Sequence, residues 1–210
     1  MGFGFEEIDF INAVKEKNFK AVKLFIQGGK NINSIDRHGA SGVFYAAQTE
    51  SPDMLKYLIG AGAEILITDN SKRTPLHYAA AANNYKAVLF LLQKGANPEW
   101  KDNFERDVLS TYLKNGKEEN LKIVEVLIEA GADVNSRDAD RRTPLIYAVK
   151  NNFYESAKTL LKKGSSTIAK DYAGKTALDY AYEAYQENPD NPELFELISE
   201  HTVKAKENLN

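Results

Sequence analysis

Val88, Leu91 and Leu92 stand at i, i+3 and i+4, with polar Lys86 and Lys94 around them, the stripe of a helix with one apolar face. Just before it, Ala79 and Ala80 belong to a stretch of small and apolar residues, small enough to let two helices approach. Thr74 is placed to cap that earlier helix, and Pro75 sits at its first turn, where a missing N–H costs nothing. Gly95 follows the second helix, where a left-handed residue ends it. The segment from Asp69 to Lys101 therefore predicts a polar turn, a small-residue helix, a Leu- and Val-rich helix and a glycine exit.

The same layout recurs. Asp36, Asp69, Asp102, Asp138 and Asp171 are separated by 33, 33, 36 and 33 residues, and Gly29, Gly62, Gly95, Gly131 and Gly164 keep the same intervals. Such a fixed period is the mark of a repeat architecture, in which each unit buries its apolar face against its neighbours. Before the first of these aspartates, residues 6–35 supply a unit without its front turn. Phe10, Ala13, Val14, Val22, Phe25 and Ile26 take its core positions, and Lys15, Lys17, Lys20 and Lys23 its solvated side. After "TALDYAYEAY", the stretch NPDNP (188–192) precedes an amphipathic closing helix. Residues 203–210 are polar and expected to fray.

The repeated strings TPLHYA (74–79), TPLIYA (143–148) and TALDYA (176–181), with the exits GAEI (62–65), GANP (95–98) and GADVN (131–135), resemble the ankyrin repeat. The resemblance covers nearly the whole chain. It implies an all-α repeat solenoid of about six helix-turn-helix repeats joined by β-turn or hairpin fingers. The expected boundaries are 6–35, 36–68, 69–101, 102–137, 138–170 and 171–202, in one domain spanning 1–202. It also implies that His77 braces its turn, and that a partner is met on the concave side, by finger tips and the exposed face of each first helix.

Composition narrows the function classes. Of 210 residues, 43% are hydrophobic and 27% charged, with a net charge of −3, so no global basic field advertises nucleic acid or an anionic membrane. Cysteine is absent, which removes disulfides and thiolate chemistry. The start has no signal-peptide pattern, and Glu6 stands where a myristoylation signal at Gly2 wants Ser or Thr. No run approaches the roughly 18 apolar residues of a membrane span. The expectation is a cytoplasmic monomer whose partner is a protein, without nucleic acid or membrane; a removed leader or delivery as a bacterial effector stays open.

Catalytic chemistry is not indicated. His38, His77 and His201 belong to different units, and no metalloprotease, nucleophile-elbow, dinucleotide or phosphate-loop string occurs. Asp138/Asp140 and Glu118/Glu119 read as solvated charge in turns. The five repeat aspartates fall in successive turns about 10 Å apart, too far to share a metal. No catalytic, cofactor-binding or metal residues are assigned.

Candidate partner-binding residues come from three patterns. Four residues after each opening Asp stand Ala40, Arg73, Arg106, Arg142 and Lys175, joined at the tips by Arg37, Lys72 and Arg141 and opposed by Glu105 and Asp140. This row either steers an acidic partner segment or balances the adjacent aspartates. Tyr45, Tyr78, Tyr147 and Tyr180 share one place on the first helix, where the fourth unit has Thr111; they form a recognition strip or pack between repeats, showing only their hydroxyls. The fourth unit, reading DVLSTYL (107–113) with the extra length of NGKEEN (115–120), adds Trp100 and Phe104 near its tip, as a hot spot beside Arg106 or as cover for weaker packing. The alternative to an interaction module is a structural scaffold or capping subunit using the convex helices, against which solvated Lys86, Glu125 and Lys158 speak.

Overall fold

The computed structural model describes residues 10–49 and 52–207. Gly2, Glu6 and the opening of the first predicted repeat lie outside the described residues. The chain divides into two compact units, Met1–Asn103 and Phe104–Asn210. The first holds α1 (Phe10–Lys15), α2 (Phe19–Gln27), α3 (Gly42–Ala47), α4 (Asp53–Gly60), α5 (Pro75–Ala81) and α6 (Tyr85–Gln93). The second holds α7 (Val108–Asn115), α8 (Leu121–Glu129), α9 (Pro144–Lys150), α10 (Tyr154–Lys162), α11 (Ala177–Glu187) and α12 (Glu193–Glu207). The fold class is an all-α repeat solenoid, and no strand occurs among the described residues.

Helices pair within repeats and stack between them. In the first unit α1 packs on α2, α3 on α4 and α5 on α6, while the first helices stack as α1, α3, α5. The second unit repeats this with α7, α9 and α11 as the inner stack and α8, α10 and α12 as the outer one. Small residues permit the approach: Ala46, Ala47, Ala79, Ala80 and Ala148 have no exposed surface. Val88 and Leu91 are likewise fully buried, whereas Leu92, Phe25 and Ile26 remain half-exposed.

Helix starts follow the local sequence. Thr74 N–H donates to His77 Nδ1 at 3.2 Å and His77 N–H to Thr74 Oγ1 at 3.4 Å, a closed capping box. Thr176 and Asp179 make a second one. In the divergent fourth unit Asp107 replaces the threonine and accepts Ser110 N–H at 2.6 Å, so the helix is capped there too. The added residues lie between α7 and α8, where Asn120 N–H donates to the hydroxyl of the fully buried Tyr112. The exits Gly29, Gly62, Gly95, Gly131 and Gly164 have φ from +79° to +99°, the left-handed conformation that releases the chain from each outer helix. At the far end α12 runs on to Glu207, so residues 203–207 continue the helix where fraying was expected.

The fingers are turns, with Ile35–Ser41 the one isolated β-bridge among the described residues. In the first unit Asn70 N–H donates to His38 O and Asn103 N–H to Ser71 O, both at 2.9 Å. In the second, Ala139 N–H donates to Phe104 O at 2.8 Å and Tyr172 N–H to Asp140 O at 3.0 Å. Each finger thus rests on its predecessor through one backbone bond at one register.

Candidate partner-binding surface

Asp36, Asp69, Asp138 and Asp171 organise their fingers in one way. Asp69 Oδ1 accepts Ser71 N–H at 2.9 Å and Arg73 N–H at 2.8 Å, while Oδ2 accepts the Tyr78 hydroxyl at 2.8 Å. Asp36 does the same with His38, Ala40 and Tyr45. In the second unit Asp138 takes Asp140, Arg142 and Tyr147, and Asp171 takes Ala173, Lys175 and Tyr180. The repeat aspartates are therefore not solvated charge: Asp69, Asp138 and Asp171 are buried, whereas the neighbouring Asp140 stands out in water.

The electrostatics follow. Burial by itself would raise the Asp69 carboxyl, but the Arg73 N–H, the Tyr78 hydroxyl and the Arg73 guanidinium outweigh it and leave its pKa lowered. Asp36 and Asp171 are lowered in the same way against the same burial. On the other side of each bond, burial and the neighbouring carboxylate push the Tyr45 hydroxyl up to about 12 and raise Tyr78 and Tyr147 as well.

The tyrosine row is accordingly interior at two positions. Tyr78 is 7% and Tyr147 3% exposed, and their hydroxyls turn onto aspartates instead of facing outward. Tyr78 also meets Phe44 edge-on at 5.2 Å and Tyr45 at 6.3 Å. Tyr45 and Tyr180 keep part of their rings at the surface, beneath Lys15 at 4.0 Å and Lys150 at 4.2 Å. On α7 the corresponding Thr111 is buried, and its hydroxyl has no partner among the described residues.

Arg73, Arg142 and Lys175 of the cationic row are each tied to a carboxylate. Arg73 directs Nε and Nη2 onto Asp69 at 2.9 and 2.7 Å, with Nη2 also 2.9 Å from the Tyr78 hydroxyl. Arg142 pairs with Asp140 at 2.9 Å and approaches Asp171 at 3.7 Å, and Lys175 pairs with Glu183 at 2.5 Å. Ala40, at the same place in an earlier finger, is fully buried.

Exposed aromatic residues lie elsewhere, Tyr182 on α11 and three others on or beside the fingers. Phe104 is 59% exposed, with the Arg106 guanidinium 4.5 Å from its ring centre. Tyr172, outside the three sequence patterns, is 72% exposed with Arg141 at 5.8 Å. Its signal was available: it stands one residue after Asp171, at a finger position held by Arg37, Asn70, Asn103 and Ala139 in other units. Trp100 is half-exposed and forms a wall of a cavity with Leu66. No group of three or more His, Asp or Glu among the described residues could hold a metal, and no described helix is long and apolar enough to cross a membrane.

Comparison with known proteins matches this recurring finger-and-helix unit. A family model of three ankyrin repeat copies fits residues 10–102 and 111–208. The chain belongs to the ankyrin-repeat family. Ankyrin repeats are generally protein–protein interaction modules and generally non-catalytic. Residues 103–110, which carry Phe104 and Arg106, fall outside the match. Among relatives, inversin from Mus musculus is 32% identical over 146 residues, 70% of this chain and 14% of that protein. Ankyrin repeat and SOCS box protein 16 from Homo sapiens is 29% identical over 189 residues, 87% of this chain and 42% of that protein. Mitochondrial disaggregase from Bos taurus is 32% identical over 143 residues, covering 66% of this chain and 20% of that protein. The chain thus spans less than half the length of each of these ankyrin-repeat relatives.

Proposed function

We propose that this ankyrin-repeat chain is an interaction module whose partner lies along the fingers and the adjoining face of the first helices, as an adaptor with no reaction of its own. The observation that carries the reading is the exposed Phe104 ring held against Arg106. A large aromatic facing water beside a guanidinium is how binding hot spots are composed, and here it sits in a segment that departs from the family pattern. Tyr172 beside Arg141 repeats the combination. The outward cations Arg37, Lys72 and Arg141 suit an acidic segment of the partner, guiding its approach more than anchoring it.

The test is capture from the cognate lysate, wild type beside a Phe104→Ala/Tyr172→Ala variant, read by mass spectrometry. A protein held by wild type and lost by the variant, at equal melting temperature, supports the finger surface. Equal capture by both overturns it and moves the contact to the outer helices, the scaffold alternative.

A further inference from the structure

Three residues before each finger aspartate stand Asn33, Leu66, Glu99, Asn135 and Ile168. Where this residue is asparagine, its carboxamide bridges to the exit of the next repeat. Asn33 Oδ1 accepts Glu64 N–H at 3.0 Å, and its Nδ2 donates to the Glu64 side chain at 3.1 Å. Asn135 Oδ1 accepts Ser166 N–H at 2.8 Å, and its Nδ2 donates to Gly164 O at 3.0 Å. Leu66 holds the same register and has no atom to accept or donate. The backbone N–H in the register of Glu64 and Ser166 is that of Asn97, five residues before Asp102.

Between Leu66 and Asn97 lies a cavity of about 200 Å³, walled by Ile65, Ile67, Gly95 and Trp100. The other apolar residue at this register, Ile168, borders a cavity of about 350 Å³. Both aliphatic residues at this register thus border an opening. A cavity of about 150 Å³ accommodates benzene, so the one beside Leu66 has room for a phenyl or isobutyl group. Leu66 is 72% and Trp100 49% exposed, apolar surface that gains by being covered.

We propose that this seam is an anchor site for one bulky apolar side chain, of Phe or Leu size, from a partner protein. A backbone carbonyl of the same segment takes the Asn97 N–H, standing where Asn33 and Asn135 place their Oδ1 atoms. The occupant is thus a peptide, matched in both its side chain and its amide. The site does not depend on the fingertip aromatics of the second unit.

Trp100 is the only tryptophan in the chain, so its indole N–H is a single, assignable reporter. The whole ¹⁵N-labelled chain is titrated with N-acetyl-phenylalanine amide, and separately with N-acetyl-glycine amide, which has the carbonyl without the anchor. Saturable shifts at the Trp100 indole and the Asn97 amide are expected for the first probe, with at least tenfold weaker binding for the second. Leu66→Asn, which supplies the missing bridge, is expected to weaken binding at least tenfold while keeping the melting temperature. Ala96→Leu, which fills the cavity from its opposite wall, gives the same loss should Leu66→Asn fold poorly. Phe104→Ala/Tyr172→Ala leaves the titration unchanged, so failure of the fingertip surface and failure of this site are told apart. No saturable shift at Trp100 and Asn97, equal binding of the two probes, or undiminished binding by both cavity variants overturns the proposal. So does a concentration-dependent dimer dissolved by Leu66→Asn, which would make the occupant a second copy.

Discussion

The Tyr78 hydroxyl donates to the buried carboxylate of Asp69 at 2.8 Å, nine residues back along the chain. The bond joins the inner helix to the base of its own finger, and Tyr45, Tyr147 and Tyr180 make the same link to Asp36, Asp138 and Asp171. Tyr78→Phe or Tyr147→Phe keeps the ring and removes one donor from a buried anion. Each is expected to cost about 1–3 kcal/mol, read from the urea midpoint at unchanged slope.

The same bonds set the pH range. Asp36, Asp69 and Asp171 have lowered pKa values despite burial, so the stability they contribute is complete above the ordinary carboxylate value of about 4 and is lost as pH falls through the lowered values. The tyrosines are raised, Tyr45 to about 12, first by burial and then by the carboxylates. Their contribution is complete below about pH 10 and is lost as pH rises toward the folded-state values. Melting temperature should be flat from about pH 5 to 9 and fall on both sides. A melting temperature still rising between pH 6 and 9 would contradict this.

Arg73 and Lys72 are adjacent cations with different duties. Arg73→Glu sets a carboxylate against Asp69, whose side chain is 1% exposed, and should destabilise by about 1–3 kcal/mol, discounted for the half-exposed arginine. Lys72 is exposed, and Glu105 already occupies the same finger position with φ +57°, so Lys72→Glu should stay within about 0.5 kcal/mol. Chemical denaturation of the two variants side by side checks the contrast. Lys72→Glu is accordingly the charge reversal to use in binding assays.

That position requires a left-handed residue in every finger: Gly39 and Gly174 serve two, whereas Lys72, Glu105 and Arg141 adopt φ from +57° to +61°. Lys72→Gly relieves about 1–2 kcal/mol of left-handed strain against about 0.5–1 kcal/mol of added chain entropy in the unfolded state, so it should stabilise by up to about 1 kcal/mol. Gly39→Ala should destabilise, because its Cβ would lie 2.5 Å from Asn70 Oδ1. Opposite shifts in melting temperature are the expected reading.

Thr111 carries a buried hydroxyl with no partner among the described residues. Thr111→Val keeps the shape and removes the desolvated group, so it should be neutral or stabilising by up to about 1 kcal/mol. A loss of more than that in thermal unfolding would show that the hydroxyl is bonded after all.

The repeat, its helices, the Thr74 and Pro75 start and the glycine exits were legible in the sequence, because each depends on residues within a few positions of one another. The 33-residue metre and the TPLHYA strings carried the family by themselves. Where side chains point across nine residues or across a seam was not legible. Asp69 reads as a polar turn residue until its bond from Tyr78, nine residues on, is formed, and of the two readings open for Arg73 its place on that carboxylate selects the one that balances the aspartate. The sequence left Tyr78 and Tyr147 open between a strip for a partner and packing between repeats, and they are mostly interior. Asn33 and Leu66 differ by one side chain at a shared register, yet whether that place is a hydrogen-bonded bridge or an apolar cavity depends on the backbone of the following repeat. Local chemistry determined the elements; burial and partnership, which exist only once repeats are stacked, decided which charges and rings remain for another molecule.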